Sequence, residues 1–162
     1  MECLVTGSIA GREAAGFARE GANPMLEGDC GPTPLPAAGT GEQNFSVLRT
    51  RLRETAWRYG GVVRSGEAMA RGLTEAETLY AAIVGGRAGT VKERMLRQDL
   101  LSAAFSLRAI LTAGLGRLES RGCFIRSDFP EQDDAHWLKN SRLFWDPSAN
   151  RFSLAYEAAE TA

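Results

Sequence analysis

Apolar side chains recur at helical spacing through three successive stretches of this chain. Phe45, Leu48, Leu52 and Ala56 fall at i, i+3, i+7 and i+11, which is one face of a helix. Arg49, Arg51, Arg53 and Arg58 occupy its other positions, and Gly60-Gly61 breaks it. A second helix opens at Ser65, a side chain suited to an N-cap, with Glu67 in the first turn where the helix dipole favours an acid. Met69, Leu73, Ala76, Tyr80 and Ile83 keep one face apolar until Gly85-Gly86. The third and longest runs over 90–118, with Leu100, Ala104, Leu107, Leu111 and Leu118 as its stripe and Phe105 and Ile110 widening it. Three amphipathic helices joined by short breaks predict a mainly α fold, an antiparallel three-helix bundle. The apolar stripes are its core and the arginines a solvated face.

The flanks read differently. Residues 1–20 predict an extra N-terminal helix, in which Gly7 and Gly11 each cost about 1 kcal/mol against alanine. Such a helix needs a close-packed neighbour. Residues 21–42 hold four of the six prolines and five glycines, and predict a linker without regular structure. At the other end, RLFWD and RFSLAY flank the turn-forming PSAN, a pattern for a small C-terminal β-hairpin. Two strands alone are marginal in water, so the hairpin should pack on the bundle or on a partner. Residues 43–162 thus form the main domain, with its terminal loop and hairpin.

Composition narrows the function. A formal net charge of −1 over 162 residues removes the electrostatic case for nucleic acid as a partner. No apolar run approaches the roughly 20 residues that span a bilayer, so direct membrane insertion is not expected. The N-terminus lacks the positive region of a signal peptide, which predicts a cytoplasmic location. Cys3, Cys30 and Cys123 are widely spaced and odd in number, the usage of reduced thiols. His136, the single histidine, sits in the polar run QDDAHWLKN and reads as a solvated side chain; nucleophilic catalysis would have no other base of its type.

The densest chemistry lies in ESRGCFIRSDFPEQDD, residues 119–134. Arg121, Arg126 and Asp128 could bind a dicarboxylate, because arginine pairs with carboxylates through two parallel hydrogen bonds. Asp133 and Asp134 could hold a divalent cation, although no third ligand stands near. The other reading is a structured polar loop whose charges satisfy one another and the backbone.

This run, continued as AHWLKN, resembles the C-terminal signature of the succinate dehydrogenase/fumarate reductase flavoprotein family, which includes L-aspartate oxidase. Glu119, Ser120, Arg121, Gly122, Arg126, Asp128, Phe129, Pro130, Asp133, Asp134, Trp137, Leu138 and Lys139 carry the match. MECLVTGSIAGREAA is similar to the last helix of the family's FAD-binding domain, and LRETAWRYGGVVRSGEAM to the opening of its helical domain. Two positions depart: Ser8 replaces an arginine, and Phe124 replaces a histidine whose hydrogen bonds phenylalanine cannot reproduce.

The resemblance implies a part of a FAD-dependent oxidoreductase acting on small dicarboxylates or on aspartate, with DDAHWLKN closer to the succinate/fumarate branch. It implies FAD in the complete enzyme and none held by this chain alone, because the GxGxxG turn and the family's substrate-binding residues belong to a segment before Met1. The loop residues, Arg121 and Arg126 above all, would then fasten the bundle to a FAD-binding domain. An iron–sulfur electron-transfer subunit is a further implied partner, through which the protein could sit peripherally at the inner membrane. Residues 1–20 could self-associate. The alternative is an interaction module or truncated chain, without catalysis of its own, that docks a separate flavin or iron–sulfur subunit.

Overall fold

The computed structural model describes residues 2–20 and 39–159. The chain divides into two compact units, Met1–Ala37 and Ala38–Ala162. In the first unit α1 spans Glu2–Arg19, as its small and apolar residues predict. Most of the expected linker lies outside the described residues. Its end does not behave as a linker: the Gly41 amide donates to Gly85 O (3.1 Å), and the Arg87 amide to Gly41 O (2.8 Å). The chain therefore joins the bundle just before the expected boundary.

The second unit is the predicted bundle. Helix α2 (Phe45–Gly60), α3 (Gly66–Gly85) and α4 (Val91–Gly116) run up, down and up, each packed on the other two. Local sequence sets their starts. Asn44 Oδ1 accepts from the Ser46 and Val47 amides of α2. Ser65 Oγ accepts from the Ala68 amide of α3. Thr90 and Glu93 form a reciprocal capping box on α4.

The core comprises Phe45, Leu48 and Leu52 from α2, Met69, Ala76, Leu79 and Ile83 from α3, and Leu100, Leu101, Ala104, Leu107 and Leu111 from α4. The sequence stripe of α4 needs one correction: Ile110 and Leu118 are exposed, whereas Leu101 is buried. Helix α4 is long and apolar enough by length and composition to cross a membrane, but it is the central helix of this bundle, and its buried stripe packs on α2 and α3. Gly72 marks a close approach of α3 to α2. A Cβ there would meet Tyr59 Cβ at 2.4 Å, so only glycine lets α3 lie against that ring.

Arginines close the helix C-termini. Arg97 on α4, buried, donates from Nε to Ile83 O (3.0 Å) and from Nη2 to Val84 O (2.8 Å), at the end of α3. Arg126 does the same for α4. A cation at the carbonyl end of a helix also complements its dipole.

The hairpin pairs β3 (Lys139–Asp146) with β4 (Arg151–Ala158) in the register Leu143↔Leu154 and Trp145↔Phe152. Its turn is held by Asp146, whose Oδ1 accepts from the Ser148 and Ala149 amides, and by Asn150 at φ 48°. The hairpin packs on α4: Phe105 meets Trp145 and Phe152 at centroid distances of 4.9 and 4.8 Å. Arg108 is buried beneath it, over the rings of Tyr80 (4.7 Å) and Trp145 (5.2 Å), and donates to Asn150 O at 2.5 Å. The Tyr156 hydroxyl donates to Gly116 O at 2.6 Å.

Candidate functional site

The loop 119–134 leaves the end of α4 and immediately folds back. Gly122, at φ 57°, lets the chain reverse between Arg121 and Phe124, which exchange amide hydrogen bonds of 2.8 and 3.0 Å. Strand β2 (Ile125–Arg126) then lies parallel to β1 (Val63–Arg64), before α3. The Ser127 amide donates to Arg64 O at 2.8 Å. A short helix, α5 (Asp134–Trp137), leads into the hairpin.

Two charge clusters organise this loop. In the first, Arg126 is buried. Its Nε and Nη2 donate to Asp128 Oδ1 (2.8 Å) and Oδ2 (2.7 Å), and its Nη1 donates to Gly114 O and Arg117 O, both at 2.9 Å. Asp128 in turn accepts from the Gly66 amide, the first of α3, at 2.8 Å. The Arg126 hydrogen bonds, with help from Gly66, hold the Asp128 carboxyl well below its ordinary value against the contrary pull of burial.

In the second cluster Glu119 is wholly buried. Its carboxylate accepts from Arg117 Nε (2.8 Å), from Arg121 Nε (2.8 Å) and Nη2 (3.0 Å), and from the Asp133 amide (3.0 Å). Burial pushes its pKa up, but the bonds from Arg121, the Asp133 amide and Arg117 outweigh it and bring it to about 2. Arg121 reaches on to Asp134 Oδ1 (2.5 Å), and Arg117 to Lys139 O (3.0 Å) and Trp137 O (2.6 Å). Glu119 is thus the hub that joins the helix end, the loop and the root of the hairpin.

The remaining residues singled out from the sequence take lesser places. Ser120 Oγ accepts from the Arg126 amide (2.8 Å) and donates to Phe129 O (2.8 Å), and Pro130 is exposed. Asp133 caps α5 by accepting from the His136 amide, and its carboxylate lies 2.8 Å from His136 Nδ1. Its carboxyl is lowered, first of all by that histidine. Lys139 Nζ lies over the rings of Trp137 (4.6 Å) and Tyr156 (4.9 Å).

This geometry decides between the chemical readings of the loop. Arg126 and Asp128 hold each other, and Arg121 holds Glu119 and Asp134, so neither of these two loop arginines offers a vacant fork to a dicarboxylate. Among the described residues no group of three or more His, Cys, Asp or Glu could hold a metal. Cys123 is a free, exposed thiol on the turn. Phe124 occupies the site of the expected histidine: Arg64 lies over its ring at 4.9 Å, and a Cβ on Gly114 of α4 would approach it to 3.4 Å.

Sequence reasoning missed Arg97, Arg108 and Arg117, which brace helix ends and hairpin. An arginine in an amphipathic pattern counts as polar, and nothing in the spacing marks one whose carbonyl partners are remote in sequence.

A three-helix bundle closed by a braced polar loop and an antiparallel hairpin is the architecture of a flavoprotein C-terminal domain. Residues 49–162 match the family described as "Fumarate reductase flavoprotein C-term", and the chain belongs to that family. It is 27% identical over 161 residues to the fumarate reductase flavoprotein subunit of Mycobacterium tuberculosis, covering 86% of this chain and 27% of that one. The L-aspartate oxidase of Caulobacter vibrioides is 36% identical over 134 residues, 82% of this chain and 21% of the relative. A quinol fumarate reductase FrdA of E. coli superposes with a TM-score of 0.67 at 20% identity, covering 93% of this chain and 25% of that structure. The chain thus spans about a quarter of the length of these relatives.

Proposed function

We propose that this chain supports and docks the flavin-binding part of a FAD-dependent oxidoreductase of the fumarate reductase/succinate dehydrogenase type. One observation carries this reading: the residues that make the family signature are consumed in bracing the domain. Arg126, Asp128 and Glu119 close the bundle from inside, and none is free to act on a substrate.

None of the three bundle helices offers a flavin an open first turn. A dinucleotide pyrophosphate is ordinarily received by a free helix N-terminus. Here the first turns of α2, α3 and α4 are occupied by Asn44, by Ser65 with Asp128, and by Thr90 with Glu93. FAD would be held by the flavin-binding part, and this chain alone would turn nothing over. Within the enzyme, a separate iron–sulfur subunit would pass electrons, and the assembly would lie in the cytoplasm or against the inner membrane.

Fumarate and succinate are the first substrates to test, and aspartate the second, favoured by the 36% identity to an L-aspartate oxidase. The experiment is recovery of the tagged chain from its native source with its flavoprotein partner. The recovered complex is assayed for succinate-dependent dye reduction, fumarate-dependent dye oxidation and aspartate-dependent peroxide release. A flavin-containing complex active with one of these supports the reading. Recovery without any flavoprotein would sink it.

A further inference from the structure

One face of the bundle is not self-satisfied. Trp57, near the end of α2, is 86% exposed, and Val62 and Val63 just beyond it are 61% and 64% exposed. Ile125 lies beside Val63 as its partner in the parallel β1–β2 pair and is also exposed. Trp57, Val62, Val63, Arg53, Arg64 and Cys123 line one open groove of about 750 Å³. Contiguous apolar exposure of this kind marks an interaction surface. Tryptophan and arginine are also the residue types that most often anchor one.

The rim gives the partner its charge. Arg53 and Arg64 are the charged residues that line the groove, and no carboxylate lines it. Among the described residues neither Arg53 nor Arg64 forms an ion pair with a carboxylate. A second copy docked about a two-fold axis would set these arginines against their own counterparts, which costs affinity. A flat anionic bilayer would satisfy the rim but not fill a concave floor. A protein surface with an apolar protrusion ringed by Asp or Glu satisfies both. About three quarters of each relative's length lies outside the part this chain matches, and that is where such a surface would be found.

We propose that the Trp57 groove, rather than the 119–134 loop, is the seat of the flavin-binding part, which inserts an apolar side chain between Arg53 and Arg64 and sets carboxylates against the rim. The inference rests on the docking role proposed above and assigns it a surface. The charged loop then serves as the brace that fixes Ile125 and Cys123 along the edge of the seat.

The test uses the full tagged chain, expressed in its native source, with a photo-crosslinking benzoylphenylalanine at position 57 or, as a control, at the exposed Ile110 of α4. The expected result is a cross-link from position 57, and not from 110, to a protein that carries flavin absorbance. Charge reversal by Arg53→Glu should lower the amount of co-purifying flavoprotein at least tenfold. Position 53 is exposed, and unchanged far-UV circular dichroism checks folding. A position-57 cross-link to a second copy of this chain, or to anionic lipid, overturns the proposal. So does a flavoprotein that co-purifies without cross-linking at 57, and in that case the docking role itself stands. If the unsubstituted chain brings down no flavoprotein, both readings fall together.

Discussion

Arg126 and Asp128, two residues apart, tie opposite poles of two helices together. The guanidinium closes the carbonyl end of α4 while its carboxylate partner receives the first amide of α3. Each member is thus bonded to a helix terminus of the sign it prefers, and to the other member through two hydrogen bonds. Arg126 is buried but Asp128 is partly exposed, so the main cost of removing the guanidinium is the loss of its bonds to Gly114 O and Arg117 O, about 1–3 kcal/mol. Arg126→Ala should lower stability by that order in urea unfolding, and Arg126→Lys should recover only a part, because one ammonium cannot bond both carbonyls and both carboxylate oxygens. A double-mutant cycle with Asp128→Asn should give a coupling above about 1 kcal/mol. Additive effects would show that the pair is incidental.

Glu119 predicts an acid transition. Its folded pKa, about 2, lies below the ordinary 4.5, and that of Asp128 is lowered too. A lowered carboxylate contributes stability that is fully present above the unfolded value and lost as pH falls through the folded one. Urea midpoints should therefore be level above about pH 5 and decline between about pH 4.5 and 2. In Glu119→Gln the decline should be shallower and the neutral-pH midpoint lower, since Arg117 and Arg121 lose their shared carboxylate.

Gly72 is set by the ring beside it. Alanine ordinarily improves a helix by about 1 kcal/mol over glycine. Here its Cβ would press on Tyr59, and overpacking of this kind costs about 1–3 kcal/mol. Gly72→Ala should therefore destabilise, with thermal melting as the measure. A gain would mean that α2 and α3 separate easily at this crossing.

Arg108 lies buried without a carboxylate, and its Nε has no hydrogen-bond partner. Asn150 Oδ1 stands 3.4 Å from its Nη1. Asn150→Asp would place a negative charge there, and aspartate tolerates the left-handed φ almost as well as asparagine. The substitution should raise the melting temperature, by the equivalent of about 1 kcal/mol. Near-UV circular dichroism of the Trp145 band should stay unchanged.

Phe124→His would install the histidine that the resemblance leads one to expect at this position. With Arg64 4.9 Å from the ring, a second cation there is disfavoured. The imidazole should titrate below its ordinary value of about 6.5, readable by NMR, and the variant should lose stability below that pH relative to the parent.

The bundle was legible because its periodicity is a local property. Ser65 announced the start of α3 and Gly60-Gly61 the end of α2, within a residue or two of the observed bounds. The face of each helix was less legible. On α3, Gly72 and Leu79 are buried while Leu73 and Tyr80 are only partly so, because the approach of Tyr59 turns the buried face toward glycine. On α4, Arg97 and Arg108 lie within the buried stripe, where a polar–apolar pattern has no place for them. The loop was legible as a set of charges but not as a wiring diagram. Arg121 and Arg126 were expected to reach toward a separate domain, yet the hydrogen bonds described here run within the bundle, to Glu119, Asp134, Asp128, Gly114 and Arg117. These are contacts between residues that only the folded chain brings together.

The two-residue ladder between β1 and β2 has a consequence for the order of folding. With Asp128 on the Gly66 amide, it closes a ring 62 positions around, whose closure entropy is roughly 4 kcal/mol. Two backbone pairings cannot offset that by themselves. The α3–α4 pair must already stand before the ring can shut, so the signature loop is fastened after that pair. Among the amides of the second unit, that of Ser127 should exchange with solvent through an opening smaller than global unfolding.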